Sequence, residues 1–198
     1  MENKFELFIE LLKKDRSYRR FDESYKIEHD ILKSLVGLTR YCASGRNLQP
    51  LKYYIVNESE KCNQIFPLLK WAGYLTDWDG PEKGERPTAY MIQCLDARLT
   101  RNYLCDDGLQ LQTITLGATI LGLGCCIIKS FNASKLKEIL GLTDSFEPLY
   151  VLAIGKPVEV VIIEDMKGDG EENIKYYRTS DGIHHVPKKS VEELLINK

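Results

Sequence analysis

Three arginines and a serine stand within five residues, in Arg16-Ser17-Tyr18-Arg19-Arg20-Phe21-Asp22. Guanidinium forks beside a hydroxyl are suited to an anion such as a phosphate. The same charge run also describes a solvated basic turn, and the residues alone leave both readings open. A second polar stretch, Cys42-Ala43-Ser44-Gly45-Arg46-Asn47-Leu48-Gln49-Pro50, is a loop rich in hydrogen-bonding side chains and closed by proline. A third, Trp71 to Pro87, carries both tryptophans, Tyr74, and a density of glycine and proline that means loop. Ordered loops of this length tend to carry function, so Trp71, Tyr74 and Trp78 are candidates for a lid or substrate wall, against a packed surface loop. Other chemistry is excluded. No P-loop or serine elbow occurs, and Gly122-x-Gly124 lacks the third glycine and follows a helix, so it is not a dinucleotide fingerprint. His184-His185 in a strand would point to opposite faces, a poor chelate, and is read as structural or surface. Asp106-Asp107 are favourable charges in the first turn of a helix rather than metal ligands. The acidic loop Asp165 to Asn173 lacks calcium-ligand spacing. No metal is expected.

These residues need a scaffold, and Asp106 to Ile128 is its centre. From Leu111 to Ile128 no residue is charged. A helix apolar on every side must be buried, in a core or against a second subunit. It breaks at Gly122-Leu123-Gly124, where glycine permits close backbone approach, and Cys125 to Ile128 reads as a buried strand. A membrane span is disfavoured by glutamines and threonines in or beside the run and by Asp106 and Asp107 before it. Around this centre, helices are expected at Phe5 to Leu12, Glu28 to Tyr41 and Ser59 to Lys70, the last capped by Asn57 or Ser59. A short helix is expected at Ala133 to Leu140, capped by Asn132 and stopped by Gly141. Strands are expected at Leu51 to Val56, Thr88 to Leu95, Pro148 to Gly155 and Val158 to Ile163. Ile174 to Tyr177 and Ile183 to Val186 would flank a turn at Ser180-Asp181-Gly182. The pattern predicts an α+β or mixed α/β domain around a sheet of four or five strands.

The chain has 198 residues, consistent with one domain over residues 1–198. Its formal net charge of −2 gives no global signal for nucleic acid or an anionic membrane. Six cysteines without a C-x-x-C pair suit reduced thiols in a cytoplasm. No signal peptide is read at the N-terminus.

In order and spacing, three segments resemble the nitroreductase family of FMN flavoproteins across nearly the whole chain. Arg16-Ser17-Tyr18-Arg19-Arg20-Phe21 is similar to the family's R-S-x-R-x-[FY] motif. Ala43 to Pro50 looks like its P-S-x-x-N-x-Q-P-W loop. The glycine-ended central helix followed by Ile127-Ile128-Lys129-Ser130-Phe131 is the third. The chain departs from the pattern at Asp15, where a further arginine is common, and at Leu51, where tryptophan is common. The resemblance implies an α+β nitroreductase-like fold with a central mixed or antiparallel sheet flanked by helices, in an intertwined homodimer. It implies that Arg16, Ser17 and Arg19 hold the phosphate and pyrimidine edge of FMN, where a guanidinium offsets the negative charge that reduction leaves near N1. Ser44, Asn47 and Gln49 would act across the dimer interface, and the backbone at Lys129 and Ser130 would lie beside the flavin N5. Lys188, or next Lys189, would meet the phosphate, and the tail of about 187–198 is a candidate for wrapping the partner. The implied activity is an FMN-dependent oxidoreductase that takes hydride from NADH or NADPH and passes electrons to a nitroaromatic, a quinone or a similar small molecule. Trp71, Tyr74 and Trp78 would shape its substrate pocket. Other flavin chemistry on the same fold, such as reductive dehalogenation or oxidation of a small metabolite, and a non-enzymatic binding protein without FMN are the alternatives.

Overall fold

A computed structural model gives the structure, and it describes residues 2–168 and 170–197. The acidic loop's Asp169 and the terminal residues Met1 and Lys198 lie outside the described residues. The order of elements is α1 (Glu2–Lys14), β1 (Phe21–Asp22), α2 (His29–Leu38), β2 (Leu51–Val56), α3 (Ser59–Ile65), β3 (Ala89–Asp96), α4 (Asp106–Ile120), β4 (Gly124–Ile128), α5 (Ala133–Leu140), β5 (Phe146–Pro157), β6 (Val161–Asp165), β7 (Tyr177–Arg178), β8 (His184–Lys188) and α6 (Val191–Leu194). The protein is α+β.

The main sheet has five strands, and all its pairings are antiparallel. β5 is its hub. β3 pairs with β5, with β2 beyond it, and β4 and β1 also pair with β5. β3 (AYMIQCLD) is buried at every position because both faces of the sheet are covered. Its alternate residues serve different cores. Tyr90, Ile92 and Cys94 pack with Leu136 and Leu140 of α5 and with Trp71. Ala89 and Met91 pack with Leu32 and Leu35 of α2 and with Leu111, Ile114 and Ala118 of α4. The period of two along the strand thus decides which helices each side chain meets. A smaller sheet, β6-β8-β7, has β6 and β8 parallel and β7 and β8 antiparallel.

Several boundaries differ from the expectation, each for a local reason. α3 stops at Ile65, and Phe66–Leu68 continues as a 3-10 turn with Pro67 in its first turn. Neither Asn57 nor Ser59 caps α3; Glu58 holds that position without a side-chain bond, and Asn57 donates to the Ile27 carbonyl instead. Thr39–Tyr41 leaves the second helix as a 3-10 turn. Ile174 belongs to a 3-10 turn, so β7 is only Tyr177–Arg178. β6 starts at Val161 because Glu159 turns inward. By contrast, Asn132 does cap α5, accepting from the Lys135 N–H, and Gly141 ends it in the left-handed region at φ 63°.

The central helix is covered on one side only within this chain. Leu111, Ile114, Gly117 and Ala118 are buried, while Ile120 and Leu121 are 70% and 53% exposed. Phe5 and Leu7 of the neighbouring α1 are 65% and 64% exposed. No helix among the described residues is long and apolar enough to cross a membrane.

Candidate functional site

Residues 15–21 lie across the β4–β5 edge. Ser17 bridges to Cys125, and the Tyr18 N–H donates to the Cys125 carbonyl at 2.9 Å. Two glycines in register on neighbouring strands, Gly124 and Gly155, allow this close approach. A Cβ on Gly124 would meet the Tyr18 ring at 2.7 Å, and one on Gly155 the Phe21 ring at 2.7 Å. The glycine that opens β4, with its partner on β5, therefore seats the arginine segment.

Arg16 and Ser17 line a cavity of about 170 Å³ with Asp15, Gln112, Thr115 and Ile127. Arg16 Nη2 donates to the Leu12 carbonyl at 2.9 Å, but its Nε is buried with no partner. A buried cationic N–H without an acceptor is what an anion site needs. Asp15 does not oppose it openly. Its carboxylate turns to α4, where Thr115 Oγ1 donates at 2.8 Å and Gln112 Nε2 also donates. Burial raises its pKa, against those hydrogen bonds and the charge of Arg16.

Arg19 leaves that cavity and faces the small sheet. Its Nη1 spends both hydrogens, on the Ser17 carbonyl at 3.1 Å and on His184 Nε2 at 3.0 Å. The guanidinium lies over the Tyr176 ring at 4.8 Å. Arginine only donates, so His184 Nε2 accepts and the ring proton sits on Nδ1. His184 is fully buried, and burial, then the charges of Arg19, Arg178 and His185, push its pKa down to about 4. The folded value lies below the usual 6.5, so as pH falls the unfolded chain takes up this proton first. His184 therefore contributes fully above about pH 6.5, and its contribution is lost between about 6.5 and 4. Asp15, with its raised pKa, has the opposite sign: it favours the fold most below the ordinary carboxylate value and less as pH rises. Urea titrations across pH 4–7 are expected to show the His184 slope in wild type and its loss in His184→Gln. Identical slopes in the two proteins would contradict the assignment.

The other expected residues fall into separate groups. Ser44 Oγ donates to Asp106 Oδ2 at 2.6 Å, and the Gly45 N–H to Asp106 Oδ1 at 3.0 Å. Asp106, read from the sequence only as a helix-end charge, is thus the anchor of this loop. Arg46, Asn47 and Gln49 all have positive φ, near 50°, a conformation that side-chain-bearing residues adopt at some cost. Asn47 and Gln49 are exposed, bonded to each other at 3.2 Å, and do not line the Arg16 cavity. Lys129 Nζ reaches the Tyr150 hydroxyl at 3.3 Å. Ser130 joins the tryptophan loop: its carbonyl accepts the Lys70 N–H at 2.9 Å, and Leu69 bridges to Phe131. A cavity of about 740 Å³ opens there, lined by Trp71, Trp78, Lys70, Asp79, Ser130 and Phe131. Tyr74 instead packs tilted against Tyr176, ring centroids 4.9 Å apart, and Trp78 lies under Arg178 at 4.5 Å. Lys188 pairs with Asp165 in the β6–β8 ladder, is exposed and lines neither cavity. The structure thus unites Arg16 with Ser17, and Trp71 and Trp78 with Ser130. It leaves Ser44, Asn47, Gln49, Lys129 and Lys188 outside both cavities. Ser17 sits beside Cys125, and Ser130 follows Cys125 by five residues, a span of at most about 18 Å.

The Nitroreductase family model matches residues 12–77 and 96–156, well over half of the chain. The nitroreductase family protein of Streptococcus pneumoniae TIGR4 is similar in fold, with TM-score 0.66 and 19% identity over 96% of this chain and 100% of that one. The nitroreductase-like protein of Streptococcus mutans gives 0.65 and 18%, covering 80% of this chain and 91% of that one. A protein of Exiguobacterium sibiricum 255-15, solved in complex with FMN, gives 0.63 and 20%, covering 77% and 89%. At these identities the structures speak to the fold, and the family match speaks to descent: the chain belongs to the Nitroreductase family.

Proposed function

We propose that the protein is an FMN-dependent oxidoreductase that takes electrons from NADH or NADPH and delivers them to a small acceptor such as a nitroaromatic or a quinone. The observation that carries this reading is the buried, unpartnered Nε of Arg16 in a cavity shared with Ser17, at the end of a glycine-seated segment in a chain of this family. It fits the phosphate of a flavin mononucleotide. Bound FMN would supply the redox chemistry, accepting hydride and passing electrons on from the same face. The chain's own residues bind and orient. Arg16 and Ser17 hold the anionic end, with Asp15 docking their segment onto α4. The backbone at Lys129 and Ser130 lies toward the ring, beside the larger cavity walled by Trp71 and Trp78. That cavity is where the acceptor sits, between flat aromatic surfaces suited to a planar molecule. Ser44, Asn47 and Gln49, outside both cavities of their own chain, reach the cofactor of a second copy, and Lys188 belongs to the phosphate end.

The visible spectrum of the purified protein, before and after anaerobic NADH and then NADPH, tests the reading. A flavin band that bleaches with either donor is the expected result. A band that persists with both would keep the cofactor and remove the donor. The absence of a band after incubation with FMN would remove the function.

A further inference from the structure

The Arg19 side chain is held by two groups of the C-terminal part of the chain. His184 Nε2 accepts one Nη1 hydrogen, the Tyr176 ring covers a guanidinium face, and Tyr176 itself lies 5.2 Å from the His184 ring. The other Nη1 hydrogen goes to the Ser17 carbonyl. The Nε and Nη2 hydrogens have no acceptor among the described residues, although Arg19 as a whole is only 8% exposed. An arginine with one nitrogen saturated by the protein and two nitrogens open to solvent is a guanidinium held in a fixed orientation with donors free for a ligand. His184 can set it only as a neutral acceptor. Its surroundings keep it so: Arg19, Arg178 and His185 all disfavour a second positive charge, and the ring is fully buried.

We propose that His184, together with Tyr176, is a positioning residue of the cofactor site, fixing Arg19 so that its Nε and Nη2 hydrogens meet the anionic edge of the flavin. The inference rests on the proposed FMN function and extends the site to β8 and to the segment before β7. It also joins the cofactor end to the loop of the large cavity. The Tyr176 ring packs tilted against Tyr74, and its hydroxyl accepts the Tyr74 N–H at 3.3 Å. The aromatic line Tyr74–Tyr176–His184 thus ends on Arg19.

The test compares His184→Phe, which keeps an aromatic ring and removes the acceptor, with His184→Gln, whose side-chain oxygen can replace Nε2. FMN dissociation constants would be read from flavin fluorescence, and midpoint potentials from spectroelectrochemistry. We expect His184→Phe to weaken FMN binding about tenfold, the scale of one lost hydrogen bond to a charged group. Its potential should move toward that of Arg19→Ala, while His184→Gln stays within about twofold of wild type in affinity. In the double variant Arg19→Ala/His184→Phe, the second change should add nothing, because His184 acts through Arg19. Additive losses, or wild-type affinity and potential in His184→Phe, would overturn the proposal. If His184→Phe fails to fold, His184→Asn, too short to reach Arg19, takes its place against His184→Gln under the same two criteria. Wild-type protein that binds no FMN overturns the functional reading as well. That outcome is distinct, because it appears before any substitution is made.

Discussion

Replacing Glu159 with alanine is expected to cost about 3–5 kcal/mol of stability, the scale for leaving a buried partner charge uncompensated. Glu159 is buried and does three things at once. Oε1 accepts the Arg19 and Arg20 backbone N–H groups, and Oε2 accepts from Arg178 Nη2 at 3.2 Å. Arg178 is itself largely buried and lies over the Trp78 ring. Alanine therefore strands two backbone donors and one guanidinium. For a chain of this length the cost corresponds to a fall of about 10 °C in melting temperature. Glu159→Gln keeps one acceptor for the N–H groups but removes the charge and turns an amide donor toward Arg178, so it should fall between wild type and alanine. Differential scanning calorimetry decides the matter. A Glu159→Ala protein within a degree or two of wild type would mean that the two donors and Arg178 find other partners.

That prediction marks where sequence reading stops. Glu159 lies in a run, Val158 to Ile163, whose only visible signal is β-branched residues. Its partners are 139 and 140 positions away for the Arg20 and Arg19 N–H groups, and no periodicity reaches that far. The same distance hid His184, whose bond to Arg19 spans 165 residues, and Asp15, whose partners on α4 lie about a hundred residues on. What was legible was local or compositional. β2 and β3 show as β-branched and aromatic runs, Asn132 and Gly141 bracket α5, and Gly122-Leu123-Gly124 marks the break after α4. The family was legible because three short motifs occur in order. Their side-chain directions were not. Nothing in Arg16-Ser17-Tyr18-Arg19 tells that Arg16 faces one cavity while Arg19 turns to the small sheet. That split is a matter of packing. Tyr18 and Phe21 must lie against Gly124 and Gly155, and once they do, the arginines diverge.

Introducing a charge on the open face of α4, as Ile120→Asp, is expected to make the protein monomeric and to empty it of flavin together. The helix carries no charge beyond its first turn, yet this chain covers only part of it. Ile120 and Leu121 at its C-terminal end are exposed, as are Phe5 and Leu7 of the neighbouring α1. Surface of that kind calls for a partner, and in the proposed homodimer a second copy would supply the same surface by two-fold symmetry. In a symmetric dimer each substitution counts twice. Burying one isoleucine is worth about 2 kcal/mol, so losing two weakens the dimer about a thousandfold before the desolvation of aspartate is added. The flavin should follow, because Ser44, Asn47 and Gln49 lie outside the cavity that holds Arg16 and Ser17 in their own chain. Sedimentation equilibrium and flavin content, measured on the same sample, separate the possibilities. A monomer that keeps a full complement of FMN would place the whole site within one chain and end the role given to the Ser44–Gln49 loop. A dimer that persists would move the interface away from α4 and leave Ile120 exposed for another reason. Loss of both together is the outcome that ties the open face of α4 to the chemistry at Arg16.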